Sequence, residues 1–304
     1  MEHVSVLLKE AVDGLNVTDG KIYVDATLGY GGHSDEIQKR LKRGFLFAFD
    51  QDSKAIDYCT NRFKDNENIT IIHSNFENMK NELEKRGIAK VDGIVFDLGV
   101  SSPQIDDAER GFSFMRDAKL DMRMNRDSEF SAYNVVNEYS LEELIDIFYK
   151  FGEEKFSKPI AKKIIESRPI VTTLELTEVI KSSVPLKYFN TNHPERNIFQ
   201  AIRIEVNREL YVLTKVLPDA IEMLNPGGRI SVITFHSLED RIVKQTFNKF
   251  SKVDDLVKGL PEIPLEFKPK IKLVNKKPIL PTLEEMENNR RSKSAKLRIV
   301  ERLW

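Results

Sequence analysis

Short, nearly unbroken apolar runs recur through the first hundred positions: Ile22-Tyr23-Val24-Asp25-Ala26, Phe45-Leu46-Phe47-Ala48-Phe49, Ile69-Thr70-Ile71-Ile72 and Gly93-Ile94-Val95-Phe96. Runs this short, without polar alternation, are the pattern of strands buried on both faces. Residues 34–41, 53–63 and 78–86 between them have helical composition. Strand-like and helix-like segments in strict alternation predict a parallel sheet with crossover helices.

The pattern changes after Val100. Residues 101–126 are rich in Asp, Arg, Ser and Gly and have no clear period. Ser140-Leu141-Glu142-Glu143 has capping-box spacing ahead of an apolar-periodic run to Phe151. Residues 161–166 and 174–181 predict further helices, each ended near a proline, Pro169 and Pro185. The sheet pattern then resumes. A long helix is predicted over 205–224, stopped by Asn225-Pro226-Gly227-Gly228. A strand follows over 229–235, then a helix over 238–250. Residues 256–281 carry five prolines and predict an extended loop. Thr282 and Glu285 predict a capped short helix, and 297–303 alternates as a closing strand. The expected organisation is therefore a discontinuous sheet domain, 1–104 with 216–304, interrupted by a mainly helical insertion, 105–215, expected to recognise the substrate.

Composition narrows the class. The chain has 304 residues, 40% hydrophobic and 31% charged, enough to bury a core without staples. Its one cysteine, Cys59, excludes an intrachain disulfide and fits a reducing, cytoplasmic setting. The start lacks a basic stretch followed by an apolar run, and no window approaches the ~20 apolar residues of a membrane span. Net charge is only −1, but residues 268–304 hold 11 Lys and Arg against 4 Asp and Glu. Lys268, Lys270, Lys272, Lys276, Lys277, Arg290, Arg291, Lys293, Lys296 and Arg298 make that end the footprint of a polyanion partner, with a solvated tail as the alternative.

The segment Asp25-Ala26-Thr27-Leu28-Gly29-Tyr30-Gly31-Gly32-His33 joins the first strand to the first helix. Glycines there let backbone approach a ligand at a helix N-terminus. A dinucleotide fingerprint needs glycine where Ser34 stands, and the Lys-Ser/Thr of a P-loop is absent. Asp25 would repel a pyrophosphate and suits a cationic ligand; S-adenosylmethionine carries an ammonium and a sulfonium and no phosphate. Asp50 ends the second strand, either as a capping residue or, at this spacing, as the acid that meets ribose hydroxyls. Phe76, which could pack on adenine or simply in the core, follows the third strand, and Asp97 ends the fourth.

Asp97-Leu98-Gly99-Val100-Ser101-Ser102-Pro103-Gln104 follows the fourth strand, where a methyltransferase sheet faces the departing methyl group. An exocyclic base amine is a poor nucleophile, and acceptors aimed at its N–H groups localise its lone pair. Ser101, Ser102 and Pro103 are the catalytic candidates on that logic. The amino-methyltransferase pattern Asp/Asn/Ser-Pro-Pro-aromatic is not matched, since Ser102-Pro103-Gln104 lacks the second proline and the aromatic; Asp97 is the alternative occupant of its first place. Arg110, Asp121 and Arg123 read either as surface ion pairs or as a clamp on the target nucleotide. The five histidines, His3, His33, His73, His193 and His236, show no zinc-ligand spacing, so no metal is expected. His236-Ser237 lacks the turn of a nucleophile pair, and His236 reads either as structural or as part of a substrate-pocket wall. Cys59 reads as a helix-face core residue.

Taken whole, the chain resembles the MraW family, bacterial methyltransferases acting on N4 of a decoding-site cytidine in 16S rRNA of the small ribosomal subunit. The matching residues are 3–8, 25–33, 97–114, Leu120-Asp121-Met122-Arg123-Met124, 199–204, Pro226-Gly227-Gly228 and 235–241. The resemblance implies a Rossmann-like class I methyltransferase sheet, an α/β fold with an inserted helical domain. It implies cofactor contacts from Gly31, Gly32, His33, Asp50, Phe76, Asp97 and Gln104, beside the Asp25 and Gly29 of the loop. Phe112 or Phe114 could stack the base, as aromatics do at single-stranded RNA sites. Rival readings are a small-amine methyltransferase, a non-catalytic RNA-binding assembly factor and, against Ser34, a dehydrogenase. A homodimer would leave no necessary trace.

Overall fold

The computed structural model describes residues 5–253, 257, 259 and 261–304. His3 and Val4 of the first motif, and Leu256 of the proline-rich segment, lie outside the described residues. The chain divides into two compact units, Met1–Gly99 with Leu210–Trp304, and Val100–Glu209. These divisions fall five to six residues before the 104/105 and 215/216 positions expected. The reason is local: Ser101 caps a new helix, Ser102–Asp106, and the helix Glu209–Met223 packs on the sheet from Leu213 onward.

The first unit is a seven-stranded sheet of order β3-β2-β1-β4-β5-β7-β6. Its strands are β1 Ile22–Asp25, β2 Phe45–Asp50, β3 Ile69–His73, β4 Val91–Asp97, β5 Leu224–Thr234, β6 Ile271–Leu273 and β7 Lys296–Arg302. β1 to β5 pair in parallel, while β7 runs antiparallel to both β5 and β6. Alternate residues of each central strand enter separate cores. Val24, Phe47, Phe49, Ile94, Phe96, Ile230 and Val232 meet helices Glu209–Met223 and Ser237–Phe250 on one face. Tyr23, Leu46, Val95 and Ile233 meet Leu8–Leu15 and Gly32–Arg40 on the other. Both faces are covered, which is why these strands read as unbroken apolar runs.

Several expectations are corrected. The helix predicted over 205–224 is two: Pro194–Asn207 ends at Arg208, whose φ of 51° is left-handed, and Glu209–Met223 begins afresh. β5 does not start at 229 but at Leu224, so Asn225-Pro226-Gly227-Gly228 lies within the strand, beside a register shift between Val91 and Gly93. The proline-rich segment is not all loop, since it contains β6. Thr282 caps Leu283–Asn288, but Glu285 does not close the box; its Oε1 accepts from the Leu7 amide at 2.8 Å instead. Nor is the basic end a free tail. Lys270 pairs with Glu222, Lys272 with Glu301, and Lys296 and Arg298 with Asp240.

The second unit is helical around its own core. Leu144, Ile147, Phe148, Ile160, Ile164, Leu176, Ile180, Ile198 and Ile202 are all nearly or fully buried in it. They come from Leu141–Lys150, Ser157–Ser167, Thr173–Ser183 and Pro194–Asn207. Among the described residues no helix is long and apolar enough to cross a membrane.

Candidate active site

Parallel strands place their carboxyl ends along one edge, and that is where open α/β sheets bind ligands. Here β1, β2 and β4 end in Asp25, Asp50 and Asp97. Asp25 is fully buried, and its oxygens accept from the Ser34 hydroxyl at 2.7 Å and the Thr27 amide at 3.1 Å. Asp50 accepts from the amides of Gly29, at 2.7 Å, and Asp52, at 2.9 Å. Burial pushes both carboxyls up to about 6, against the lowering effect of those hydrogen bonds. Asp25 and Asp50 thus brace the glycine loop from its two ends.

Asp97 differs. Its amide donates to Thr27 Oγ1 at 2.6 Å, and one oxygen lies 3.6 Å from His33 Nδ1. The other, Oδ1, is buried with no hydrogen-bond partner among the described residues. Burial, then the charges of Asp25 and Glu239, hold this carboxyl well above its ordinary range. A buried acceptor of this kind is costly unless a ligand satisfies it.

The loop glycines have distinct reasons. Gly31 has φ 81°, and a Cβ there would lie 2.7 Å from the Phe63 ring. A Cβ on Gly32 would meet Ser5 Oγ at 1.9 Å. Both are therefore demanded by protein packing, whereas a Cβ on Gly29 would touch only a carbonyl at 3.9 Å. Cys59 is fully buried, donates to the Gly29 carbonyl at 3.3 Å, and has its thiol pushed up to about 12 by burial. It holds the loop and is no nucleophile. Phe76 packs edge-on against Phe96, centroids 5.7 Å apart, partly buried against the sheet core.

His236 caps the helix Ser237–Phe250, with Nε2 3.2 Å from Glu239 Oε1. Glu239 Oε2 accepts the Phe235 amide at 2.7 Å, and that carboxylate is 2% exposed. Thr27 and Glu239 were not singled out from sequence, and Ser34 only as the departure from a dinucleotide fingerprint. Glu239 was detectable, because it stands three residues after a cap position.

Within the second unit, Ser101 and Gln104 form a reciprocal capping box. Gln104 Oε1 accepts the Ser101 amide at 2.9 Å, and Ser101 Oγ accepts the Gln104 amide at 3.4 Å. Pro103 stands in the first turn, where a missing N–H costs nothing. Ser102 Oγ has no partner among the described residues. Arg110 is 1% exposed, and its Nη2 donates to the carbonyls of Arg123, at 2.8 Å, and Met124, at 3.2 Å. Asp121 and Arg123 form a two-pronged pair at 2.7 and 3.0 Å. Asn207, also not singled out, accepts from the Met124 amide and donates to the Met122 carbonyl, each at 2.8 Å. Arg110, Arg123 and Asn207 therefore fix the shape of an aperiodic loop from inside. Phe112 lies under Arg110 at 5.8 Å, and Phe114 meets Phe199 edge-on at 5.8 Å. Both rings are partly buried against the unit's core.

A mostly parallel sheet of this order, with an antiparallel strand inserted between the last two and carboxylates ending β1, β2 and β4, defines a Rossmann-like α/β protein with an acidic ligand-binding edge. Comparison with known proteins narrows this. The chain belongs to the MraW methylase family, whose family model matches residues 1–303. It is 52% identical over 306 residues to the ribosomal RNA small subunit methyltransferase H of Clostridium botulinum strain Loch Maree / Type A3, covering 99% of each chain. The same identity and coverage hold for that of strain Kyoto / Type A2. Among solved structures, an rRNA methylase from Streptococcus thermophilus matches at 14% identity and TM-score 0.44, covering 99% of each chain.

The methyl donor of this family is S-adenosylmethionine. The sheet edge fits it: Asp25 is buried, Asp50 and Asp97 are half-buried, Asp97 keeps one orphaned oxygen, and none of the three is hydrogen-bonded to a lysine or arginine among the described residues. When bound, this cofactor supplies an electrophilic methyl group on a sulfonium. Asp25 and Asp50 hold the glycine loop in shape, and Asp97 Oδ1 offers an acceptor already stripped of water.

A pH dependence follows. The folded pKa of Asp25 and Asp50, about 6, exceeds the ordinary 3.8, so the folded chain binds these protons more tightly. Their contribution to stability is complete below about pH 4 and is lost as pH rises through about 6. A cationic ligand meets ionised acids only above that window. The rise in melting temperature caused by S-adenosylmethionine is expected to grow between pH 5 and 7, and to flatten in Asp50→Asn. A ligand-induced shift independent of pH in the unmodified protein would contradict this.

Proposed function

We propose that this protein transfers a methyl group from S-adenosylmethionine to the exocyclic N4 amine of a cytidine in the decoding region of small-subunit 16S rRNA. The observation that carries the reading is the end-to-end likeness, at 52% identity, to relatives named ribosomal RNA small subunit methyltransferase H. The substrate is then rRNA within a small ribosomal subunit, in the cytoplasm. The chemistry needs no metal: the amine must be held in line with the methyl group, and acceptors must draw on its N–H bonds. In this reading Gly29, Gly31, Gly32, His33, Asp50, Phe76, Asp97 and Gln104 line or shape the cofactor site. Ser102 Oγ, free of internal bonds, and the backbone at Pro103 serve the amine, while Ser101 holds their turn. Arg110, Phe112, Phe114, Asp121, Arg123 and His236 shape the substrate side. A stacked base must leave its helix to be reached.

The test offers labelled S-adenosylmethionine with unmethylated small subunits, naked 16S rRNA, tRNA and free cytidine, followed by nucleoside separation. Label in N4-methylcytidine from subunits is expected. Transfer to free cytidine alone would move the reading to small amines, and binding of cofactor without any transfer would reject catalysis.

A further inference from the structure

The sheet unit carries a second polar recess, away from the strand-end acids. It is an open recess with a cavity of about 40 Å³ between the helix Ser237–Phe250, the end of β6 and β7, and is lined by Lys244, Asn248, Asn275, Lys276 and Arg298 over a floor of Phe247, Leu273 and Ile299. The charges of this lining are unevenly matched. Arg298 is held by Asp240, through Nε at 2.7 Å and Nη2 at 3.2 Å, which leaves Nη1 without a partner among the described residues. Asn275 is bound into the sheet, accepting from the Ile299 amide and donating to the Lys277 and Leu297 carbonyls. Lys244, Lys276 and the Asn248 amide have no side-chain partner among the described residues, and both lysines are exposed. Most of their basic neighbours are neutralised: Lys270, Lys272 and Lys296 all sit in ion pairs. Donors without acceptors thus converge on one recess, and no carboxylate lines it.

We infer that this recess seats a backbone phosphate of the RNA substrate. The inference deepens the rRNA reading and rests on it. A phosphodiester presents acceptor oxygens and one negative charge, which complements two free ammonium groups, an amide and a guanidinium N–H. Position agrees. Lys244 stands eight residues beyond His236 on one helix, so it lies about 12 Å along the axis from the carboxyl end of β5. That is a span of about two nucleotides of extended strand. Phosphate contacts of this kind fix register and leave sequence choice to the base.

The test is Lys244→Ala/Lys276→Ala in the full chain, with Lys249→Ala as an equally basic control on the same helix outside the recess. Methyl transfer to unmethylated small subunits is measured at several salt concentrations, along with affinity for a labelled single-stranded RNA oligonucleotide. The double variant is expected to raise KM about tenfold near physiological salt, with kcat and the Kd for S-adenosylmethionine unchanged. Its plot of log affinity against log salt should lose about 0.7 of slope per lost phosphate contact. Lys249→Ala should change neither. Unchanged KM and slope in the double variant, or an equal effect in the control, would overturn the seat. So would binding of inorganic phosphate to the recess with RNA affinity unaltered, since the site would then take a small anion. Failure of the rRNA reading is separately visible, as absence of methyl transfer by the unaltered protein.

Discussion

Replacing Asp97 by asparagine is expected to abolish most methyl transfer while making the ligand-free protein more stable. The two effects share one cause. Asp97 Oδ1 is buried without a partner, and the carboxyl lies close enough to Asp25 and Glu239 for their charges to disfavour its ionised form. An asparagine keeps the shape and the amide bond to Thr27 but removes that electrostatic burden, so the melting temperature should rise. A charged acceptor hydrogen-bonded to a ligand contributes about 1.5–3 kcal/mol, so the Kd for S-adenosylmethionine should weaken about 10- to 100-fold. If Asp97 also holds the reacting geometry, kcat falls about 10²-fold further. Isothermal titration, melting curves and single-turnover transfer separate these effects. Wild-type affinity and rate in Asp97→Asn would remove Asp97 from the site.

Arg110→Ala is expected to destabilise the helical unit by about 2–4 kcal/mol, the cost of leaving two carbonyls without their charged donor. A nucleotide clamp would behave otherwise, raising KM and leaving stability alone. The distinction rests on the 1% exposure of Arg110 and its bonds to the carbonyls of Arg123 and Met124, which lose their donor in the variant. Arg110→Lys should recover part of the loss, because one nitrogen, Nη2, serves both carbonyls and an ammonium can also offer two donors. Chemical denaturation of the variants, with near-unaltered m-value, is the measurement.

Much of the sheet was legible because its strands are buried on both faces and so carry a simple signal. Phe45 to Phe49 and Ile94 to Phe96 could be little else. What escaped was set by backbone geometry or by distant partners. The break at Arg208 depends on a left-handed residue that is not glycine, which leaves no mark in composition. β6 is three residues long in a proline-rich stretch, and only its pairing with β7 makes it a strand. For the site, the acids at the strand ends followed from the pattern of elements. The roles inside the loop did not. That Gly31 and Gly32 are required by Phe63 and Ser5, or that Asp25 is taken up by Ser34, depends on contacts between residues far apart in sequence or turned inward. Ser101 and Gln104 were read for chemistry although their spacing is also that of a capping box, which is how the structure uses their side chains.

The interruption of the sheet between β4 and β5 has a consequence for the nascent chain. β4 pairs with β1 on one side and with β5 on the other, yet β5 starts roughly 125 residues after β4 ends. At ~5–20 residues per second, β4 leaves the ribosome with one edge of unpaired backbone groups open for about 6–25 s before its neighbour is made. Such an edge is a template for pairing with the wrong strand. The helical unit closes its own core during that interval, so the hazardous species is a half-built sheet followed by a finished domain. Aggregation during synthesis should therefore depend on the speed of translation through residues 100–223 more than on the stability of the completed protein.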